Sequence, residues 1–195
     1  MAVYGQYETV TELGRKGSTS VSRARPADGG WELGFYDLGT DANFALKAFH
    51  VRSAEDAGGI ESRRFLERVR CQKKMADSGA KHWAPIIESG TARGDAYYVT
   101  SLYSRTAHRL AHSGAGVDAA TLYAVIHGAL QGLLELRRNQ GRPHGNIKST
   151  NLLIKGPVRS PITSDDILLT DPALEDDATI AGEAEDLYNL GEVIY

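Results

Sequence analysis

Leu122, Val125, Ile126, Ala129, Leu130, Leu133 and Leu134 recur at the i, i+3, i+4 spacing that puts apolar side chains on one helical face. The stripe predicts a core-facing helix from a cap at Asp118 to about Arg138, with Arg137 and Arg138 in a last turn where cations suit the helix dipole. Such a helix must bury its stripe, so its neighbours have to supply a core.

The chain before it has a different period. Tyr7 to Val10 and Val21 to Arg25 read as two strands joined by a Gly/Ser/Thr segment, a hairpin pattern. Pro26 to Asn43 is a Gly- and Asp-rich loop with a small strand expected at Trp31 to Tyr36. Phe44 to Phe49 is an apolar run interrupted by Lys47, which suits a buried strand. Ile60 to Ala76 predicts a helix with a narrow buried face at residues 65, 66, 69 and 75. Ile86 to Ser89 and Ala96 to Leu102 are strand-like, with Tyr97, Tyr98 and Val99 supplying β-propensity. Beyond the long helix come short apolar runs at Leu152 to Ile154 and Ile167 to Thr170, split by a Pro/Ser-rich loop. An apolar helix is expected from Glu185 to Tyr195. The order predicts an α+β chain in which a small β-rich part with one helix precedes a helix-dominated part.

Composition narrows the function classes. The formal net charge of −3 argues against a nucleic-acid or anionic-membrane surface, since both call for a basic face. The single cysteine, Cys71, excludes an internal disulfide framework and fits a reducing, cytoplasmic compartment. The N-terminus has no cationic start before an apolar run, and no stretch reaches the roughly 18 apolar residues expected of a membrane span.

Four local patterns occur in one order. Leu13-Gly14-Arg15-Lys16-Gly17-Ser18-Thr19-Ser20-Val21 is a glycine-containing turn followed by valine. Phe44-Ala45-Leu46-Lys47 sets a lysine inside an apolar strand, which is costly unless the ammonium meets a partner. His144-Gly145-Asn146-Ile147-Lys148-Ser149-Thr150-Asn151 runs directly into Leu152-Leu153-Ile154, and Leu168-Leu169-Thr170-Asp171-Pro172-Ala173 ends a strand at an aspartate. Together they resemble the protein kinase superfamily: its glycine-rich loop, its V-A-I-K strand, its H-R-D-L-x-x-x-N catalytic loop and its D-F-G strand. The H-G-N form looks like the loop of plant receptor-like pseudokinases.

The resemblance implies a bilobal protein-kinase-like fold, with residues 1–103 as an N-lobe ending in the hinge and 104–195 as an incomplete, mainly helical C-lobe. It implies ATP and Mg2+ as cofactors. Gly14, Gly17, Val21, Ala45, Lys47, Thr100, Ser101, Leu102 and Lys148 would face nucleotide, and Asn151 and Asp171 would hold the metal. The lysine's helix partner falls on Glu67 or Arg68 in two registers, with Glu67 preferred. Thr100 would be the gatekeeper, and Asp186 would accept hydrogen bonds from the catalytic-loop backbone.

The departures carry the functional expectation. Asn146 stands where the family has its base aspartate, and a neutral amide has no lone pair basic enough to take a proton. General-base assistance is worth about 10²–10⁴-fold, so turnover should be slow at best. Lys16 and Thr19 replace two glycines, Gly145 replaces an arginine, and Pro172-Ala173 replace Phe-Gly. About a dozen residues separate Ala173 from Asp186, with no A-P-E among them, so the peptide-docking platform should be missing. The expectation is a catalytically impaired pseudokinase acting in signalling as a nucleotide-binding, regulatory or scaffolding module. The alternatives are an active but slow Ser/Thr-type kinase and an interaction module that binds no nucleotide. The chain stops within Leu190 to Tyr195, inside what should be a buried helix, which predicts either a longer protein or a protein partner over that face. His50, His82, His108, His112 and His127 show no metal-ligand spacing, and sequence order supports no Ser/His/Asp set.

Overall fold

A computed structural model of the chain describes residues 1–27, 43–51, 59–114 and 116–194. The expected strand at Trp31 to Tyr36 lies outside these residues. The described chain divides into two units, Met1–Val69 with Ile86–Leu102, and Arg70–Pro85 with Tyr103–Tyr195.

In the first unit, strands β1 (Val3–Tyr4), β2 (Tyr7–Lys16), β3 (Thr19–Pro26), β4 (Phe44–Phe49), β5 (Glu88–Ala92) and β6 (Asp95–Ser101) form one antiparallel sheet in the order β1-β2-β3-β4-β6-β5. The hairpin is longer than its apolar residues suggest. Thr11 to Lys16, mostly polar and exposed, continue the ladder to a two-residue turn, Gly17-Ser18, with Lys16 opposite Thr19. Gly17 takes φ +59°, the positive value a tight hairpin turn needs. Strand β5 begins two residues later than expected, at Glu88.

Alternation sorts side chains between the faces. Phe44, Leu46 and Ala48 of β4 join Tyr4, Tyr7, Tyr97 and Val99 in one cluster. On the other face Ala96 and Tyr98 of β6 meet Phe65 and Val69 from helix α1 (Ile60–Asp77). Both faces are therefore covered, which is why the central strands read as continuous apolar runs. Lys47 shares a face with Phe49 and Tyr98, the α1 side.

In the second unit, β7 (Arg105–Thr106), β8 (Leu152–Ile154) and β9 (Ile167–Leu169) make a small antiparallel sheet, with helices α2 (Ala107–Ala111), α3 (Ala119–Gln140) and α4 (Glu175–Ile194). Strand β7 and helix α2 carry too few residues for a periodic signal, and sequence reading missed both. Helix α3 is capped as its sequence predicts: the Asp118 side chain accepts from Thr121 N, and Gly141 ends it in the left-handed conformation at φ +66°. By length and composition alone α3 could cross a membrane, contrary to the sequence expectation. Its close packing shows a different use. Ala124, Gly128, Gly132 and Leu136 form a buried stripe, and a Cβ added at Gly128 or Gly132 would lie 2.6 Å from Ile167 Cβ or 2.7 Å from Leu169 Cδ1. The glycines let β9 approach the helix backbone. Trp83 Nε1 seals the contact, donating to the Gly132 carbonyl at 3.0 Å.

The last helix differs from expectation. It starts at Glu175 rather than Glu185, and Gly182 at φ 78°, ψ 172° breaks it into two helical pieces. Acidic Glu175, Asp176 and Asp177 fill its first turn, where negative charge meets the free N–H groups.

Candidate functional site

Asn146, Asn151 and Asp171 come together in the second unit around a buried histidine. His144 follows α3 through Gly141-Arg142-Pro143 and is completely buried. Its Nε2 faces the Thr170 carbonyl at 3.2 Å, and its Nδ1 faces the Asn146 N–H at 3.2 Å. A carbonyl can only accept and a backbone N–H can only donate, so the imidazole is neutral with its proton on Nε2. Burial agrees, lowering its pKa from 6.5 to about 3 despite the opposing pull of Asp171.

Asp186 of α4 lies beneath this loop. Its Oδ2 accepts from His144 N at 2.6 Å and its Oδ1 from Gly145 N at 2.8 Å, the contacts expected from the sequence. Burial raises the Asp186 carboxyl pKa, and the two backbone donors act against that rise. Asn151, on a 3₁₀ turn at Ser149–Asn151, donates from Nδ2 to the Asn146 carbonyl at 2.9 Å. Its own carbonyl accepts from Thr170 N at 3.2 Å, joining the loop to the segment that carries Asp171.

Asp171 is one of two described non-glycine residues with positive φ, at 56°. Side chains hold it on both sides. Asn146 Nδ2 donates to the Asp171 carbonyl at 2.7 Å, while Gln72 Oε1 accepts from Asp171 N at 3.0 Å and from Thr170 Oγ1 at 3.2 Å. Sequence reading missed Gln72, yet the signal was there. It lies three residues after Val69 and seven after Phe65, a polar residue on the apolar stripe of α1. It is 1% exposed. Arg142 was missed too: its buried guanidinium donates to the Ala173 carbonyl at 2.6 Å and approaches Cys71 Sγ at 3.7 Å. Burial pushes the Cys71 thiol pKa up, so the lone cysteine is not an activated nucleophile.

For a divalent cation, the oxygens of Asp171 and Asn151 are the candidates. Asn151 Nδ2 is committed to Asn146, which turns its side-chain oxygen toward the remaining acceptor role. A carboxylate plus a carboxamide oxygen suits Mg2+, which takes few protein ligands and keeps water or phosphate oxygens for the rest. Among the described residues no group of three or more His, Cys, Asp or Glu could hold a metal by itself. Lys148, exposed, precedes the 3₁₀ turn, and its carbonyl accepts from Asn151 N at 2.9 Å.

The other predicted residues lie in the first unit. Lys47, half-buried on β4, pairs with Val21 on one side and Tyr98 on the other, its ammonium 5.9 Å from the Tyr98 ring centre. Ala45 pairs with Thr100, which is buried; Ser101 ends β6, and Leu102 follows it, with Leu102 N donating to the Asn43 carbonyl at 2.7 Å. Gly14 lies in the β2 ladder and Gly17 in the turn. Glu67 is exposed on α1, whereas Arg68 is half-buried and shares the face of Phe65 and Gln72.

The structure also assembles a set that sequence order could not suggest. Ser20 Oγ lies 2.7 Å from His50 Nε2, and His50 Nδ1 lies 2.8 Å from Asp95 Oδ2, which also accepts from Tyr4 OH at 2.8 Å. Ser20 is 4% exposed on a strand paired on both sides, so its neighbouring N–H groups are spent in the sheet. An acyl-transfer nucleophile needs free donors for its oxyanion. The relay instead ties β1, β3 and β6 to the residue that follows β4.

These features define the class: an α+β, protein-kinase-like fold, with a β-rich sheet and several helices. The chain is similar to the crystal structure of the Mycobacterium tuberculosis PknI kinase domain solved as a single mutant, with a TM-score of 0.61 and 17% identity over 99% of this chain and 74% of that one. It is similar as well to a double mutant of the same domain, with a TM-score of 0.59, 16% identity and the same coverage. No protein-family model and no curated protein matches the chain.

Proposed function

We propose that this chain is a nucleotide-binding pseudokinase domain, acting through its bound conformation rather than through phosphoryl transfer. In this reading the two units correspond to the small and large lobes. Lys47, with Gly14, Gly17, Val21 and Ala45, serves the phosphates of ATP, and Thr100 to Leu102 serve its base. Asn151 and Asp171 hold Mg2+, with Lys148 alongside. One observation carries the proposal: Asn146, which by its resemblance would stand in the place of the base, has its amide N–H turned to the Asp171 carbonyl. A group that donates there is not poised to accept a proton from an acceptor hydroxyl.

The retained Asn151 and Asp171 favour a second reading, a slow kinase in which metal–phosphate electrostatics supply the catalysis. Two measurements separate the readings. Mg-ATP should raise the melting temperature, and Asp171→Ala should abolish the rise. Labelled phosphate transfer that survives Asn146→Ala but disappears with Asp171→Ala marks the slow kinase, and no transfer marks the pseudokinase. If millimolar nucleotide gives no shift at all, the domain is an interaction module that binds no nucleotide.

A further inference from the structure

The backbone from Thr170 to Ala173 is bonded at each of its N–H groups and at three of its carbonyls. Thr170 N donates to Asn151 O, and Thr170 O faces His144 Nε2. Asp171 N donates to Gln72, and Asp171 O accepts from Asn146. Pro172 has no N–H to satisfy. Ala173 N donates to His144 O at 2.8 Å, and Ala173 O accepts from Arg142. Asp171, near the middle, has φ 56°, a region that aspartate tolerates better than most side-chain-bearing residues but rarely adopts, and the bonds on either side fix it there.

Two side-chain amides do so, and their chemistry allows one arrangement. Gln72 Nε2 donates to the Ala84 carbonyl at 2.8 Å, which turns Oε1 toward Asp171 N–H and Thr170 O–H. Asn146 faces a carbonyl oxygen at 2.7 Å, so its NH₂ and not its oxygen must point there. An ionised aspartate at 146 would set one acceptor against another at that distance.

We propose that Asn146 and Gln72 form an amide clamp on the two peptide groups flanking the Asp171 α-carbon, fixing the direction in which its carboxylate meets a divalent cation. Asn146 is then a positioning residue that acts through its amide donor. The cation part rests on the metal-binding reading above. The clamp itself rests on geometry within one unit.

The test compares the wild-type chain with Asn146→Asp, Asn146→Ala and Gln72→Met. Its first arm is thermal melting at pH 8 and pH 5. Asn146→Asp is isosteric and should melt below wild type at pH 8. The gap should narrow at pH 5, because a protonated carboxyl regains an O–H to donate to the Asp171 carbonyl. The gap for Asn146→Ala should not narrow. The titratable and charged groups that act on this loop through His144 and Asp186, namely Arg142, Lys148, Asp171 and Glu185, are shared by all four proteins, so the comparison isolates the new carboxyl.

The second arm is Mn2+ binding in the presence of ATP, read from the electron paramagnetic resonance of free Mn2+. Asn146→Ala and Gln72→Met should bind about tenfold more weakly, the usual cost of losing an outer-shell partner. The clamp is overturned if Asn146→Asp melts with wild type at pH 8, or if its gap does not depend on pH. Unchanged Mn2+ affinity in both Asn146→Ala and Gln72→Met overturns the positioning role. If wild type binds no Mn2+, the metal reading and the positioning role fail together, while the pH-dependent gap still decides the clamp.

Discussion

At position 145 the backbone adopts φ +68°, and a Cβ built there would lie 2.7 Å from Ala178 Cα and 2.8 Å from its Cβ. The arginine that the resembling family carries here therefore has no room, because α4 starts early and passes directly over the loop. Gly145→Ala should destabilise by at least about 1–2 kcal/mol from the backbone alone, with the clash adding to it. Urea unfolding would measure the loss. His144 supplies a pH dependence. Its folded pKa is depressed, so between 6.5 and about 3 the unfolded chain binds a proton that the native state refuses. Stability is therefore present above pH 6.5 and is lost as pH falls. The loss between pH 7 and 5.5 should be about 1 kcal/mol. His144→Gln should flatten that slope in the same measurement. Asp186, with its raised pKa, works in the opposite sense but is common to both proteins.

At the scale of elements, α3 is the best-specified piece. Its period, its Asp118 cap and its Gly141 stop all agree, and Asp118→Ala should cost about 1 kcal/mol by urea titration. Its buried face shows what periodicity leaves out. The large apolar residues gave the helix, but Gly128 and Gly132 gave the packing distance to β9. Gly132→Leu should disrupt the second unit far more than a helix-propensity scale suggests. The result to expect is lost near-ultraviolet circular dichroism from Trp83, which bonds to the Gly132 carbonyl. In the sheet, the chain ends of four strands are joined by Tyr4, Ser20, His50 and Asp95. His50→Ala should leave buried hydrogen-bonding groups unsatisfied and cost about 1–3 kcal/mol.

Over the whole molecule, the described residues build two units with separate apolar clusters, and α1 is the element whose residues belong to both. The proposed nucleotide binding is tested at this scale. With Mg-ATP at a hundredfold its dissociation constant, linkage adds about 2.7 kcal/mol. For a chain of this size that is a rise in melting temperature on the order of 5–10 °C.

Sequence alone determined those features that live in short range. Strand and helix periods, the cap at Asp118, the asparagine at 146 and the order of four motifs are all properties of neighbouring residues, and they were enough to indicate a kinase-like α+β chain. Tertiary structure decided the rest, because it concerns residues far apart in the chain. Gln72 and Asp171 are 99 residues apart, and nothing local marks a stripe glutamine as a clamp rather than a defect. Ser20, His50 and Asp95 are joined only by strand order. Even Asn146 changed meaning: the resemblance implies which proton it cannot take, and only Asp171, brought close by folding, shows which carbonyl its amide N–H bonds.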